Sequence, residues 1–299
     1  MRSLIQILLS VTALAVGTSA CGTALEVRGH GAIAAVGAED QYADVITQVG
    51  GRYVTVTSII DNPSTDPHAF ESSPSVAAAI SDARLVVQNG LGYDAFMSRI
   101  EAGAPNPDRR VVDVQRLLGL PDSSQNPHLW YGENTMLDLA AHVDAILSAF
   151  RPRLAMYFHA REARFDRSLG PWFRELDRIR HRFAGTAVAA TEPVANLLLS
   201  AAGLHNVTPQ SFQLDVMNGI DPAPQAISLM DGLISQRKVK VLVYNRQVAD
   251  SLTDTVRRLA LSHGVPIVGV DETMPPRITY GRWMLDTTIA LERALERAR

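Results

Sequence analysis

The sequence predicts an α/β protein of two lobes, each built around parallel strands, with one long helix between them. Short apolar runs alternate with helical segments from residue 33 to residue 100, and the same alternation resumes after Gly185. Between them, residues 135–182 follow a helical pattern that contains no strand-like run. Short buried strands separated by helices are typical of parallel sheets. A chain of 299 residues is also long for a single core, which favours two lobes.

The first lobe is predicted to span residues 32–151. Its apolar and β-branched runs predict strands, and its amphipathic stretches predict helices. The strands are expected at 33–36, 54–60 and 85–88, and the helices at 41–49, 75–81 and 93–100.

The linking helix is predicted at residues 152–183. Pro152 and Pro171 interrupt the helical pattern, so we expect either more than one helix or a kink. The second lobe is then expected at residues 184–299. Its strands are predicted at 187–190, 239–244 and 265–270, an extended segment at 207–211, and helices at 194–201, 224–234, 249–262 and 280–297.

The amino-acid composition gives no support for a nucleic-acid partner. The net charge is −3 and the isoelectric point is about 6.2, so the chain has no basic excess that would favour nucleic-acid binding. Hydrophobic residues make up 46% and charged residues 20%, which is ordinary for a globular protein.

The N-terminus is typical of an exported protein. Arg2 precedes an apolar run and then small residues, which predicts a signal peptide at 1–20 rather than a short membrane anchor. Cys21 is the only cysteine, so the chain forms no internal disulfide. Its position after small residues resembles a bacterial lipobox, and residues 21–31 would then be a tether. We expect a protein anchored to the outer face of the cell membrane by a lipid on Cys21, or a periplasmic one.

Two loops repeat an unusual motif. The chain reads "DPHAF" from Asp66 and "NPHLW" from Asn126, so each loop places a histidine behind a proline and an acidic or amide residue. Proline restricts the backbone, and the preceding side chain can bind one imidazole nitrogen so that the other is available to a metal ion. Either motif alone could be structural, but the two together favour a shared site at His68 and His128.

Two carboxylates could complete such a site. Glu192 follows the predicted strand 187–190, and Asp271 follows the predicted strand 265–270. Ligands in parallel α/β sheets bind beyond the carboxyl ends of strands. Either residue could instead cap a helix or a turn, and Glu272 is a rival of Asp271 that spacing does not exclude.

These motifs together resemble a known family, the solute-binding lipoproteins of bacterial manganese and zinc ABC importers. "DPHAFE" and "NPHLWY" are similar to its two histidine loops, "TEPVANLLLSAAGL" to its third ligand segment, and "KVKVLVYNRQ" with "GVPIVGVDE" to its last. The resemblance implies two lobes with small parallel sheets, one long rigid helix and a metal ion in the cleft between the lobes. The implied ligands are His68, His128, Glu192 and Asp271.

The resemblance also implies partners. These are a divalent metal ion, the transmembrane permease of an ABC importer and the membrane, and we expect the protein to act as a monomer. Two imidazoles and two carboxylates suit manganese or zinc, and a glutamate at the third position favours manganese first and zinc second. A secreted metal-dependent hydrolase and a surface adhesin are the alternatives. The chain has no HExxH motif, and four protein ligands would leave tetrahedral zinc no open position for water.

Overall fold

The computed structural model describes residues 31–62, 70–248 and 250–298. Ala32–Arg299 form one compact unit that contains two four-stranded parallel sheets flanked by helices. The predicted signal peptide, Cys21 and His68 lie outside the described residues. In the part of the chain that is described, no helix combines the length and apolar character needed to cross a membrane.

The first sheet has strand β1 at its centre. This strand is apolar and almost wholly buried, since helices cover both faces of a parallel sheet. Ala35 of β1 lies opposite Val56 on one neighbouring strand and Leu85 on the other. Across the sheet, the strands are β2 (Val54–Ile60), β1 (Ile33–Glu39), β3 (Leu85–Gln88) and β4 (Arg110–Asp113).

Two helices of the first half begin directly after residues whose side chains cap the helix N-terminus. Pro74 is the first residue of α2, and the hydroxyl of Ser73 accepts a hydrogen bond from the amide of Val76 at 3.4 Å. Asp113 caps the short helix α4 in the same way through the amide of Arg116. The helices are α1 (Asp40–Gly50), α2 (Pro74–Asp82), α3 (Ala95–Gly103), α4 (Val114–Leu117) and α5 (Thr135–Phe150).

The second sheet repeats this plan with shorter strands. In order, they are β6 (His205–Asn206), β5 (Ala187–Ala190), β7 (Leu242–Asn245) and β8 (Ile267–Val270). The surrounding helices are α7 (Asn196–Ala201), α8 (Gln210–Met217), α9 (Pro224–Ser235) and α10 (Ser251–Ser262).

One long helix follows the first half, as predicted. Helix α6 (Ala155–Phe183) has 29 residues, or about 44 Å at 1.5 Å per residue, and it continues through Pro171. A 3-10 turn at Pro152–Leu154 precedes it, so the interruption falls at the first of the two prolines. Its buried face packs on the last helix, α11 (Tyr280–Arg297), where the Trp172 indole donates to the Thr288 hydroxyl at 3.1 Å.

The predicted extended segment at 207–211 is wrong in its second half. Val207 continues the sheet by one bond to Val188, and Thr208 donates to the side chain of Asn206. Pro209 then precedes α8, which begins at Gln210. The sequence of this helix is too polar and too short for its helical period to stand out.

Both sheets present polar residues at their carboxyl ends, where ligands bind in α/β folds. Glu39 ends β1 in the first sheet. In the second sheet, Glu192 follows β5, Asn245 ends β7 and Asp271 follows β8.

Candidate metal centre

His128 is the best-defined member of the predicted site. It precedes a 3-10 turn at Leu129–Tyr131, and its side chain is fully buried. The rings of Trp130 and Tyr93 pack edge-on against the imidazole, at 5.4 and 5.9 Å between centroids. This aromatic wall fixes the ring plane and keeps water away from it.

Asn126 determines which imidazole nitrogen is available. Its Nδ2 donates to the carbonyl of Pro193 at 3.0 Å, and a carbonyl can only accept, so Oδ1 must face His128. That oxygen accepts from the His128 amide at 3.0 Å and lies 2.8 Å from Nδ1. A neutral His128 therefore carries its proton on Nδ1 and has a lone pair on Nε2. Compared with the aspartate of the first histidine motif, Asn126 keeps an acceptor for Nδ1 and adds a bond to Pro193, next to Glu192.

Glu272 faces the Nε2 atom of His128. Its side chain is fully buried, and its Oε2 lies 3.2 Å from Nε2. The Tyr93 hydroxyl donates to the same oxygen at 2.8 Å, and the Asn245 side chain donates to Oε1 at 2.8 Å. Burial and the charge of Glu272 raise the pKa of Tyr93 well above its usual value, so the phenol keeps its proton. At 3.2 Å, His128 Nε2 and Glu272 Oε2 are within hydrogen-bond distance of each other.

Asp271 is directed elsewhere. The Arg246 guanidinium binds both of its carboxylate oxygens, with Nε 2.8 Å from Oδ1, and this bond raises the pKa of Arg246. The main-chain oxygen of Asp271 accepts from the Tyr131 hydroxyl at 2.7 Å. The structure therefore brings Glu272, rather than Asp271, to His128.

Glu192 lies in the turn after β5 and is 2% exposed. Its carbonyl accepts from the Gln213 side chain at 2.8 Å, which anchors the turn to α8. The Asn126–Pro193 bond ties the same turn to the histidine loop. Pro193, the residue after Glu192, is therefore joined to His128 through the side chain of Asn126.

The described residues do not complete a metal site by themselves. Within 31–62, 70–248 and 250–298, no three His, Cys, Asp or Glu side chains lie close enough together to hold a metal ion. His68, the other predicted imidazole, lies outside these ranges. What the structure places together is one imidazole and one carboxylate, His128 and Glu272.

Sequence reasoning missed the residues that hold Glu272. Asn245 ends β7, Gln247 lies two residues beyond it, and Tyr93 lies in the turn between β3 and α3. Gln247 accepts from the amide of Glu272 at 2.5 Å. Their common signal is a polar side chain at or shortly after the carboxyl end of a buried strand, the region from which Glu192 and Asp271 were also selected.

The surroundings of the site are acidic. Glu39 is fully buried, and burial, with the nearby charges of Asp94 and Asp40, raises its pKa well above the usual value. Burial likewise raises the pKa of Asp40 to about 7 and that of Asp94 to about 6. These buried carboxyls therefore carry less negative charge at neutral pH than exposed carboxyls do.

Known proteins share this architecture. The zinc-binding periplasmic protein TroA of Treponema pallidum superposes with a TM-score of 0.73 at 17% identity, over 89% of this chain and 99% of that one. FpvC of Pseudomonas aeruginosa, solved in complex with Mn²⁺, superposes at 0.71 and 18% identity, over 88% and 97%. The chain therefore shares the fold of these two proteins.

The family is shown by sequence. The model of the periplasmic zinc-uptake complex component A, ZnuA, matches residues 36–294, and the chain belongs to this family. It is also 25% identical over 144 residues to the manganese-binding lipoprotein MntA of Bacillus subtilis, a match that covers 45% of this chain and 47% of MntA. The chain thus aligns with about half the length of this curated relative. The predicted resemblance is confirmed, and the family consists of binding components rather than enzymes.

Proposed function

We propose that this protein captures a divalent transition-metal ion outside the cytoplasm and delivers it to the permease of an ABC importer. The observation that carries the proposal is the buried pair of His128 Nε2 and Glu272 Oε2, 3.2 Å apart. Asn126 holds the imidazole in the tautomer that can bind metal. A metal ion bound to both atoms would replace the direct contact between them. Membership of the zinc-uptake family supports this function.

The proposed ligands are His68, His128, Glu192 and Glu272. The sequence alone favours Asp271 as the fourth ligand, but its two oxygens bind Arg246. Glu272 is the carboxylate that faces the imidazole. Two imidazole nitrogens and two carboxylate groups would bind a divalent cation and balance its charge.

The proposed ion is Mn²⁺ first and Zn²⁺ second. Carboxylate oxygens suit manganese, and carboxylates that bind through both oxygens allow more than four contacts. MntA is named as manganese-binding, FpvC was solved with Mn²⁺, and TroA is named as zinc-binding. Zinc remains the competitor, because most such sites bind it more tightly than manganese.

The test is metal binding by the purified protein after removal of metal with a chelator. Mn²⁺ and Zn²⁺ are titrated while thermal unfolding is followed, since a ligand of the folded state stabilises by about 2.7 kcal/mol at a hundred times its Kd. We expect Glu272→Gln and His68→Ala to lose most of this shift and Asp271→Asn to keep it. The neighbouring Asp271 is the matched control for Glu272. Loss with Asp271→Asn alone would reverse the ligand assignment, and no shift with either metal in the wild type would refute metal capture.

The proposed location follows the predicted N-terminus. A signal peptide at 1–20 and a lipid on Cys21 would place a monomer at the outer face of the cell membrane, next to the permease. We expect Cys21→Ala to move the protein from the membrane fraction to the soluble fraction. Mass spectrometry of the mature N-terminus measures the lipid directly.

A further inference from the structure

The segment that carries Glu272 belongs to the second half of the chain but is held by helix α1 of the first half. This segment, residues 271–280, joins β8 to α11. The Asp40 carboxylate accepts from the amide of Met274 at 2.8 Å, and the Asp44 carboxylate accepts from the amide of Tyr280 at 2.8 Å. Buried main-chain amides need acceptors, and here side chains supply them.

Other first-half groups bind the same segment. The Tyr131 hydroxyl donates to the carbonyl of Asp271, and the Tyr280 hydroxyl donates to the carbonyl of Trp130 at 2.6 Å. The second half contributes Gln247, which accepts from the amides of Glu272 and Thr273. Segment 271–280 is therefore fixed on one side by its own half and on the other by helix α1 and the turn that follows His128.

Asp40 and Asp44 are one helical turn apart, so their side chains lie on the same face of α1. Burial raises the pKa of both, because a buried carboxylate loses its contact with water. Burial therefore disfavours the charged form of both carboxylates, and both accept hydrogen bonds from main-chain amides of the same segment. Their shared direction indicates a common role.

We propose that Asp40 and Asp44 are positioning residues of the metal site, which hold segment 271–280 so that Glu272 stays next to His128. This inference rests on the proposed function. The two aspartates act through the main chain, since Met274 lies two residues after Glu272 and receives the Asp40 bond. A metal ligand must be held to within about 0.5 Å of its productive position, so slack in this segment would weaken binding.

The test measures Kd for Mn²⁺ and Zn²⁺ on the full protein by chelator competition, with the folded state checked by circular dichroism. We expect Asp40→Ala and Asp44→Ala each to weaken Mn²⁺ binding by about tenfold or more. Asp40→Asn keeps an oxygen for the Met274 amide and should stay within about threefold of wild type. Asp250→Ala is the matched control. Asp250 also accepts a main-chain amide, that of Thr253, but at the start of α10, so its loss should lower the thermal midpoint without changing Kd.

A double-mutant cycle separates positioning from general stability. If Asp40 acts through Glu272, adding Asp40→Ala to Glu272→Gln should change Kd by less than about threefold, because the ligand is already lost. The inference is overturned if the two effects multiply, or if Asp40→Ala lowers the thermal midpoint while Kd stays at the wild-type value. A wild type that binds neither metal overturns the proposed function itself, which is a different result.

Discussion

The Oδ1 atom of Asn126 lies 2.8 Å from Nδ1 of His128, while the amide nitrogen of the same side chain donates to the carbonyl of Pro193. One residue thus fixes the imidazole tautomer and joins the histidine loop to the turn that carries Glu192. The same side chain therefore contributes both to the orientation of the imidazole and to one of the contacts between the two halves.

Replacement of Asn126 should separate these two roles. Asn126→Ala removes the acceptor of Nδ1, and we expect metal affinity to fall by about 10- to 100-fold. Asn126→Asp keeps that acceptor but cannot donate to Pro193. It should bind metal nearly as well, and its metal-free form should lose roughly 1–3 kcal/mol of unfolding free energy. Chelator competition and urea unfolding measure the two effects.

The control for Asn126 is Asn218→Ala. The Asn218 side chain is exposed and donates to the Leu214 carbonyl at the end of its own helix, α8, so neither quantity should change much. If Asn126→Ala binds metal as tightly as the wild type, Asn126 does not set the tautomer.

Stability should fall as pH rises from about 4 to above 7. Burial raises the pKa of Asp40 from 3.8 to about 7. Over this range the folded state holds a proton that the unfolded state has released, so raising the pH favours unfolding. For this one group the loss is on the order of 4 kcal/mol, at about 1.4 kcal/mol for each unit of pKa.

Asp40→Asn should reduce this pH dependence, since an amide does not titrate. Urea unfolding of the metal-free protein at pH 5 and pH 8 gives the difference. The exposed Asp108→Asn serves as the control and should preserve the wild-type slope. An unchanged slope in Asp40→Asn would show that other groups determine the pH dependence.

Gly37 in β1 should not tolerate a side chain. A Cβ at this position would lie 2.4 Å from the main-chain nitrogen of Ala43, so strand β1 and helix α1 would have to move apart. We expect Gly37→Ala to cost roughly 1–3 kcal/mol of unfolding free energy. Gly103→Ala has open space around its Cβ at the end of α3 and should be neutral or slightly stabilising. Equal denaturant midpoints for the two variants would contradict this packing.

Metal binding should release protons. Ligands bind metal in their deprotonated forms, so we expect a metal ion bound to His128 and Glu272 to displace a proton. Calorimetry in buffers of different ionisation enthalpy counts the protons released, and we expect about one from this pair. Glu272→Gln should release fewer, because a neutral amide can donate to the imidazole without an extra proton. A metal-binding wild type that releases none would mean that the pair is not the site.

The strands could be predicted because their residues are buried on both faces. Residues 54–60 and 85–88 were placed correctly from apolar and β-branched runs alone. Strand β4 was not predicted, because its two valines lie between the charged residues Arg110 and Asp113 and form no apolar run. Helix α6 was predicted, and its passage through Pro171 shows that packing on α11 can outweigh one interrupted hydrogen bond.

The choice between Asp271 and Glu272 could not be made from the sequence. Adjacent residues in an irregular segment point in different directions, and only tertiary contacts decide which one faces inward. The Arg246 guanidinium binds the Asp271 carboxylate, and the Asn245 side chain donates to the Glu272 carboxylate. Both contacts depend on the pairing of β7 with β8, which spacing along the chain does not reveal.

The bonds from α1 to segment 271–280 also constrain the order of folding. Asp40 and Met274 are 234 residues apart in sequence, and Asp44 and Tyr280 are 236 apart. Helix α1 is among the first parts of the fold to be synthesised, yet its two carboxylates gain their amide partners only when the chain is nearly complete. Contacts of such long range form late and slow folding. Until these contacts form, the chain is incompletely folded. An exported protein can be translocated across a membrane in that incompletely folded state.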